Sequence, residues 1–316
     1  MKPLHLPLEG HDLLAVERFK DDTRHMAEFL ILSTHCPLGR RGQYKRLFLT
    51  EDEYARMRSL ERQGQLQIRC HAAIIEGHIS FRLGQGEMLS IVGSSGAGKT
   101  TICKAIMGLL GNAYRADGEI LFQAENLLDL PERKRQAIYG KAICLIMQNP
   151  MTAFNPSIRV GRQLEKTYLL HHGKTPKQEM QRLFAGILQR LGLEDTQRIL
   201  NSYPFTLSGG MLQRLMIAAA LMCQPSLLVA DEATTAIDAC NRIGLMRELK
   251  SFCKDGMSVL FVTHDLRSAS VSDRILVMDR GRIVEQGKTE QILNTPKEDY
   301  TKYLLNACRL ERREMS

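Results

Sequence analysis

The run Gly93-Ser94-Ser95-Gly96-Ala97-Gly98-Lys99-Thr100-Thr101 fits the pattern G-x-x-x-x-G-K-[ST], and it points to phosphate chemistry. Gly93, Gly96 and Gly98 permit backbone turns closed to residues that carry a Cβ, so successive N–H groups can converge on one anion. Lys99 adds a mobile cation for the outer phosphates of a nucleotide, and the Thr100 hydroxyl is placed to ligate Mg²⁺. A loop of this kind needs a strand before it and a helix N-terminus after it. Both are legible: Met88 to Val92 reads as a buried strand, and Ile102, Ala105, Ile106 and Leu109 share one apolar helical face.

Further groups with chemistry follow at intervals. Ser226 to Ala230 is a short apolar strand that ends in Asp231-Glu232. A carboxylate at such a tip can hold a Mg²⁺ shell, and its neighbour can polarise water. Taken alone, the pair reads better as charges opening a helix. Upstream, Leu207-Ser208-Gly209-Gly210-Met211-Leu212-Gln213-Arg214 precedes the apolar helix Leu215 to Cys223. Ser208, Gly209 and Gly210 sit where that helix begins, as an anion-facing N-terminus or as a plain N-cap. His264 follows the strand Ser258 to Val262.

The elements that must position these groups alternate from Leu66 to about Gly287, strand-like runs with helical segments, as in an α/β core. Within that span residues 149–222 read as a helical subdomain, with helical spacing at Ile158 to Tyr168 and Lys177 to Leu191 and breaks at Gly173 and Gly192. An antiparallel β region is expected near 66–85 and 117–123. Residues 1–64 are charge-rich and weakly patterned, with one expected helix at Glu51 to Arg62. Residues 65–290 form the nucleotide-binding domain, and 291–316 form a tail, helical from about Lys297 to Leu305.

Composition narrows the class. Of the 316 residues, 44% are hydrophobic and 25% charged, as in a globular protein with a full α/β core. No run approaches the ~18 apolar residues of a membrane span, and Met1 to Gly10 lacks an apolar signal core. The net charge of +8 is scattered, and the chain has no Trp, so a basic stripe with stacking aromatics for nucleic acid is not expected. The 8 cysteines stand singly and form no C-x-x-C pair, which fits reduced, mostly buried thiols.

The order of phosphate loop, Gln148, Leu207-Ser208-Gly209-Gly210, Asp231-Glu232 and His264 resembles the ATP-binding subunits of ABC transporters over about residues 66–310. Met147-Gln148-Asn149-Pro150-Met151-Thr152-Ala153-Phe154-Asn155-Pro156, Val160-Gly161-Arg162-Gln163, Tyr203-Pro204-Phe205 and the tail text from Gly281 to Gly287, with Pro296 and Tyr300-Thr301, are similar to those of peptide and nickel importers. Within that group the chain is most similar to the first ATPase subunit of nickel importers. The resemblance implies a P-loop NTPase cassette with a RecA-like core, and ATP and Mg²⁺ as ligands. It implies Glu232 polarising water, His264 at the γ-phosphate, Gln148 sensing Mg²⁺, and Thr100 and Asp231 at the metal. It places ATP between the phosphate loop of one subunit and Ser208 to Gly210 of a second, with Asp238 touching the opposite subunit. The implied partners are membrane permease subunits, a second ATPase subunit and an external substrate-binding protein, at the cytoplasmic face of the inner membrane. Nickel or another metal complex is the expected cargo, with di- or oligopeptides as the alternative.

The chain departs from that pattern in several places. Ala233 replaces the usual proline and Ile237 a common leucine, which leaves both acids in place. The aromatic that stacks on adenine has no counterpart around Ile68 to Ile75, where His71 is either its substitute or a surface histidine. The cysteine cluster of some peptide-type tails is absent, since only Cys308 lies there. Residues 1–64 fall outside the resemblance, as an extension or as text preceding a start near Met57. The rival readings are a soluble ABC-type protein acting on nucleic acid or ribosomes, and a non-hydrolysing regulatory cassette. Against the first stands one cassette with no long insertion, and against the second stand Glu232 and His264.

Overall fold

A computed structural model of the chain describes residues 12–16, 26–32, 44–50, 64–72, 79–110, 116–234, 237 and 239–314. It divides into two compact units, Met1–Gly64 and Gln65–Ser316. The first contains a three-stranded antiparallel sheet of β1 (Asp12–Val16), β2 (Met26–Leu32) and β3 (Tyr44–Thr50), in the order β1-β2-β3. Sequence reading found no strands here, because the apolar runs are short and framed by charge. The helix expected at Glu51 to Arg62 lies outside the described residues.

The second unit opens with β4 (Gly64–Ala72), β5 (Ile79–Gly84) and β6 (Met88–Val92), and then α1 (Lys99–Ile106). Next come β7 (Ala116–Phe122), β8 (Glu125–Asn126), α2 (Glu132–Ile138) and β9 (Ile143–Ile146). The helices α3 (Val160–His172), α4 (Lys177–Arg190), α5 (Thr196–Asn201) and α6 (Gly209–Met222) follow, and then β10 (Leu227–Asp231). After these run α7 (Ala239–Lys254), β11 (Ser258–Thr263), α8 (Leu266–Ala269), β12 (Arg274–Asp279) and β13 (Arg282–Lys288). The chain closes with α9 (Thr289–Asn294) and α10 (Asp299–Glu314), the latter longer than the tail helix expected from sequence.

A six-stranded sheet in the order β13-β12-β6-β11-β10-β9 forms the core, parallel except for the antiparallel edge strand β13. All residues of β6 and β11 are buried, because helices and a second sheet cover both faces and leave no polar alternation. Side chains still sort by the two-residue period of a strand. Leu228, Ala230, Val259 and Phe261 pack into the cluster with α3 to α7, while Leu227, Val229, Leu260 and Val262 join α1 and the β5-β4-β7-β8 sheet. The latter sheet, with antiparallel β4–β7 and β7–β8 pairings, occupies the region read as antiparallel β.

The helical segment is held at the turn that ends α4. Arg214 of α6 donates from Nη1 to the Leu191 carbonyl at 3.0 Å and to the Gly192 carbonyl at 3.4 Å, satisfying acceptors that a helix end leaves open. Gly192 has φ +71°, and a Cβ there would stand 2.5 Å from Arg214 Nη1. In contrast, Gly186 lies exposed inside α4 and a Cβ there meets nothing within 4 Å. Gly192→Ala is expected to destabilise the chain by about 1–2 kcal/mol through the left-handed backbone, and Gly186→Ala to stabilise it by about 0.5–1 kcal/mol. Urea denaturation of the two variants checks both signs.

Candidate active site

Strand β6 is the point at which the order of connections reverses, since the chain leaves it for the far edge at β9 and returns through β10 and β11 to its side. In open α/β sheets ligands bind outside the carboxyl ends of strands at such a point. Gly93 follows β6, Gln148 lies just beyond β9, Asp231 ends β10 and His264 follows β11. Parallel register brings these ends level: Val92 pairs with Thr263, and Asp231 with Val262.

The phosphate loop is built as the sequence requires. Gly96 and Gly98 have φ +84° and +97°. A Cβ at Gly93 would stand 2.2 Å from the Met278 carbonyl oxygen, so only glycine fits beside the end of β12. Gly98 caps α1 with no side-chain hydrogen bond, and the first turn holds no acid. The N–H groups around Lys99, Thr100 and Thr101 are thus left for an anion. Ala97 is buried, and its carbonyl accepts from Gly281 N–H at 3.1 Å, while Ser94, Ser95, Gly96 and Thr100 are exposed. Lys99 Nζ donates to the carbonyls of Gly93 (2.9 Å) and Ser94 (2.8 Å). Burial pushes its ammonium below the ordinary lysine range, while the charges of Glu232 and Asp231 act to hold it up.

The acids stand across from this loop. Thr100 Oγ1 donates to Asp231 Oδ1 at 3.2 Å. Burial pushes the Asp231 carboxyl up; the Thr100 hydrogen bond opposes that shift, and the charge of Glu232 adds to it. Glu232 accepts at both oxygens: Gln148 Nε2 donates to Oε2 at 2.8 Å, and His264 Nδ1 lies 3.2 Å from Oε1. The Glu232 backbone has φ +49°, a left-handed conformation that costs an acidic residue energy and is held by Glu232 N–H donating to the Val262 carbonyl at 2.9 Å. The sequence-predicted Lys99, Thr100, Gln148, Asp231, Glu232 and His264 therefore come together.

Ser208, Gly209 and Gly210 do not join them. Ser208 Oγ caps α6 by accepting from Met211 N–H at 3.2 Å. With Arg198, Arg214 and Asn241 they line a separate groove of about 610 Å³ that includes no phosphate-loop residue among those described. Asp238 lies outside the described residues, as do the side chains around His71, where the adenine contact was sought.

Two residues steady the site through contacts that sequence reading did not foresee. Arg242 donates to Asp265 Oδ2 at 3.0 Å and to the Ile237 carbonyl at 3.1 Å, tying the segment after Glu232 to the turn after His264. Burial would raise the Asp265 carboxyl, but hydrogen bonds from Ser268, the Arg267 N–H and Arg242 hold it below the ordinary range. Tyr300, from the tail, accepts from Ser94 N–H at 3.1 Å. Arg242 belongs to no short motif, and Tyr300, though part of the tail text that resembles peptide and nickel importers, carries no local sign of its contact with Ser94.

Residues 77–235 match the ABC transporter family. The chain belongs to that family and is a transport ATPase of the importer kind. Residues 5–84 separately match a family of unknown function, DUF5720. The chain is 40% identical over 230 residues to the metal-staphylopine import system ATP-binding protein CntD of Staphylococcus aureus (strain Mu50 / ATCC 700699), covering 72% of this chain and 84% of that one. It is also 40% identical over 232 residues to the dipeptide transport ATP-binding protein DppD of Haemophilus influenzae, covering 72% and 70%. Among solved structures it resembles the dimeric post-hydrolysis state of the ATP-binding cassette MJ0796 bound to ADP and Pi, with TM-score 0.62, 26% identity, and coverage of 71% of this chain and 98% of that chain. The α/β cassette expected from sequence is the fold observed.

Gly93→Ala is expected to weaken ATP binding by about tenfold or more, because the Met278 carbonyl cannot yield to a Cβ without moving β12. Equilibrium titration with a fluorescent ATP analogue reads the loss.

Proposed function

We propose that this subunit hydrolyses Mg²⁺-ATP at a site completed by a second ATPase subunit, and that the cycle drives import of a metal complex through membrane permease subunits. The observation that carries the hydrolytic part is the placement of Glu232. Both of its oxygens are fixed, by Gln148 and His264, next to the Thr100–Asp231 pair and in reach of the phosphate loop. A carboxylate so oriented can polarise an attacking water, and in this reading His264, bonded to that carboxylate, steadies the outer phosphate.

The donor set fits Mg²⁺. Thr100, Asp231 and Gln148 offer hydroxyl, carboxylate and amide oxygen, the hard ligands this cation takes, and the half-buried Asp231 next to Glu232 concentrates negative charge that a dication relieves. When bound, Mg²⁺ neutralises charge on the phosphates being separated.

The separation of Ser208, Gly209 and Gly210 from the phosphate loop supports a head-to-tail dimer. Their groove is open, and its helix N-terminus suits the nucleotide held by another subunit's loop. The dimeric MJ0796 cassette lends the same reading support. ATP binding then favours the closed dimer and hydrolysis releases it, a population shift set by differential affinity. Gln148 adjoins exposed Met147 and precedes exposed Met151 and Ile158, and exposed Phe205 stacks on Tyr203 beneath Arg159; we take these apolar residues as one surface linked to the site through Gln148. That surface is where a permease subunit docks in this reading. Among the described residues no helix is long and apolar enough to cross a membrane, so the spans come from other chains. An external binding protein delivers the cargo. The ATPase lies at the cytoplasmic face, with residues 1–64 as an added segment, 65–290 as the cassette and 291–316 as its tail.

A metal complex, nickel among the candidates, is favoured as cargo because the resemblance to CntD spans more of that protein than the resemblance to DppD does of its own. The similarity to DppD favours di- or oligopeptides as the second reading.

Glu232→Gln is expected to keep ATP binding while steady-state hydrolysis falls by about 10²- to 10⁴-fold. Near-normal turnover would remove its assigned role. Cells carrying Lys99→Ala at matched expression are expected to lose uptake of labelled nickel. Unchanged uptake sets nickel aside, and the same strains then decide between other metal chelates and labelled peptides.

A further inference from the structure

The tail helix α10 takes no part in the chemistry above, yet it reaches the phosphate loop. The Tyr300 hydroxyl accepts from the Ser94 N–H at 3.1 Å. That N–H and the Gly93 carbonyl belong to one planar trans peptide, so they point in opposite directions. Fixing the N–H toward Tyr300 therefore aims the Gly93 carbonyl away from the tail, where Lys99 Nζ takes it at 2.9 Å. The next carbonyl, of Ser94, accepts from Lys99 Nζ at 2.8 Å and from Ala97 N–H at 3.2 Å. One tyrosine hydroxyl thus sets the orientation of the peptide on which the phosphate-binding lysine rests.

The hydroxyl is held in place from several sides. The Glu285 carboxylate of β13 accepts from Lys297 N–H at 2.8 Å and from Glu298 N–H at 3.2 Å, just before α10 begins. Farther along, Arg267 of α8 donates to the Cys308 carbonyl at 3.1 Å. Tyr300, Leu304 and Cys308 recur on one helical face, and with buried Leu305 they pack against Val92, Leu266 and Ile292. Val92 directly precedes the phosphate loop, and Leu266 opens the helix after His264. The tail is thus built onto the loop's own supports.

We propose that Tyr300 is a positioning residue for nucleotide binding: through Ser94 it orients the Gly93–Ser94 peptide and the Lys99 that rests on it, which makes α10 a brace for the phosphate loop. The inference rests on the ATPase reading. Tyr300 touches neither the acids nor the water they act on, so its loss falls on nucleotide affinity and not on the hydrolytic step.

The test compares wild type, Tyr300→Phe and Tyr303→Phe, each full length and assembled with its transporter partners. Tyr303 lies on the same helix, exposed and stacked near Tyr300. The readouts are KM and kcat for ATP, the Kd of a fluorescent ATP analogue and the melting temperature. Tyr300→Phe keeps the ring and loses one hydrogen bond, so KM and Kd are expected to rise about three- to tenfold, with kcat and melting temperature unchanged. Tyr303→Phe is expected to match wild type. Unchanged KM and Kd in Tyr300→Phe would overturn the inference, as would weaker binding that appears only with a lowered melting temperature. A wild-type chain that binds no ATP would overturn the ATPase reading first, and this inference with it.

Discussion

The site depends on the register of three parallel strands. Val92 opposite Thr263 and Asp231 opposite Val262 bring the ends of β6, β11 and β10 to one level, so the phosphate loop, Glu232 and His264 emerge side by side. A slip of one residue in any of them would exchange the side chains that face the two buried clusters and withdraw its catalytic group. The register is strongly specified because both faces are buried: Phe261 and Val259 face one hydrophobic cluster, Leu260 and Val262 the other. Forcing a side chain into a core space shaped for another costs about 1–3 kcal/mol, so a slipped strand bears several such penalties together. The packing that stabilises the sheet is therefore also what aligns the chemistry.

On that frame the polar groups are arranged under strain and desolvation. Glu232 sits at φ +49° with both oxygens engaged, and Asp231 beside it is raised by burial. Neither is a comfortable position for an acid in isolation. Lys99, partly desolvated, rests on loop carbonyls until an anion competes for it. Unpaired helix N–H groups, a desolvated ammonium and a carboxylate already oriented form a field organised before the nucleotide arrives, which limits the reorganisation that binding and hydrolysis require.

The helical segment carries the second half of the dimeric reading and is fastened differently. Arg214 ties the start of α6 to the end of α4, and Arg190 at that end lies 3.6 Å over the Phe252 ring while donating to Ser251 Oγ at 2.6 Å. These polar and stacked contacts add to the buried apolar cluster that the helical segment shares with the sheet. Gln148, at the junction, bonds to Glu232 on one side and precedes the exposed Met151 on the other. A movement of this segment would be felt directly at the carboxylate.

Local sequence determined the parts whose physics is local. Glycines in the phosphate loop, the lysine and threonine after them, an apolar strand ending in acids, and a serine opening a helix are each written within about ten residues. The same holds for the antiparallel β region and the main helices of residues 149–222. The strands of residues 12–50 were missed because their short apolar runs carry no periodicity strong enough to stand out from the charge around them. Tertiary structure alone decided that Gln148 and His264 take opposite oxygens of Glu232, and that Arg242 joins Ile237 to Asp265. It also decided that Tyr300 reaches Ser94 across 206 positions of chain. Such pairs have no local signature, because a hydrogen bond between distant residues is set by where the packed sheet delivers them, and that is a property of the whole core.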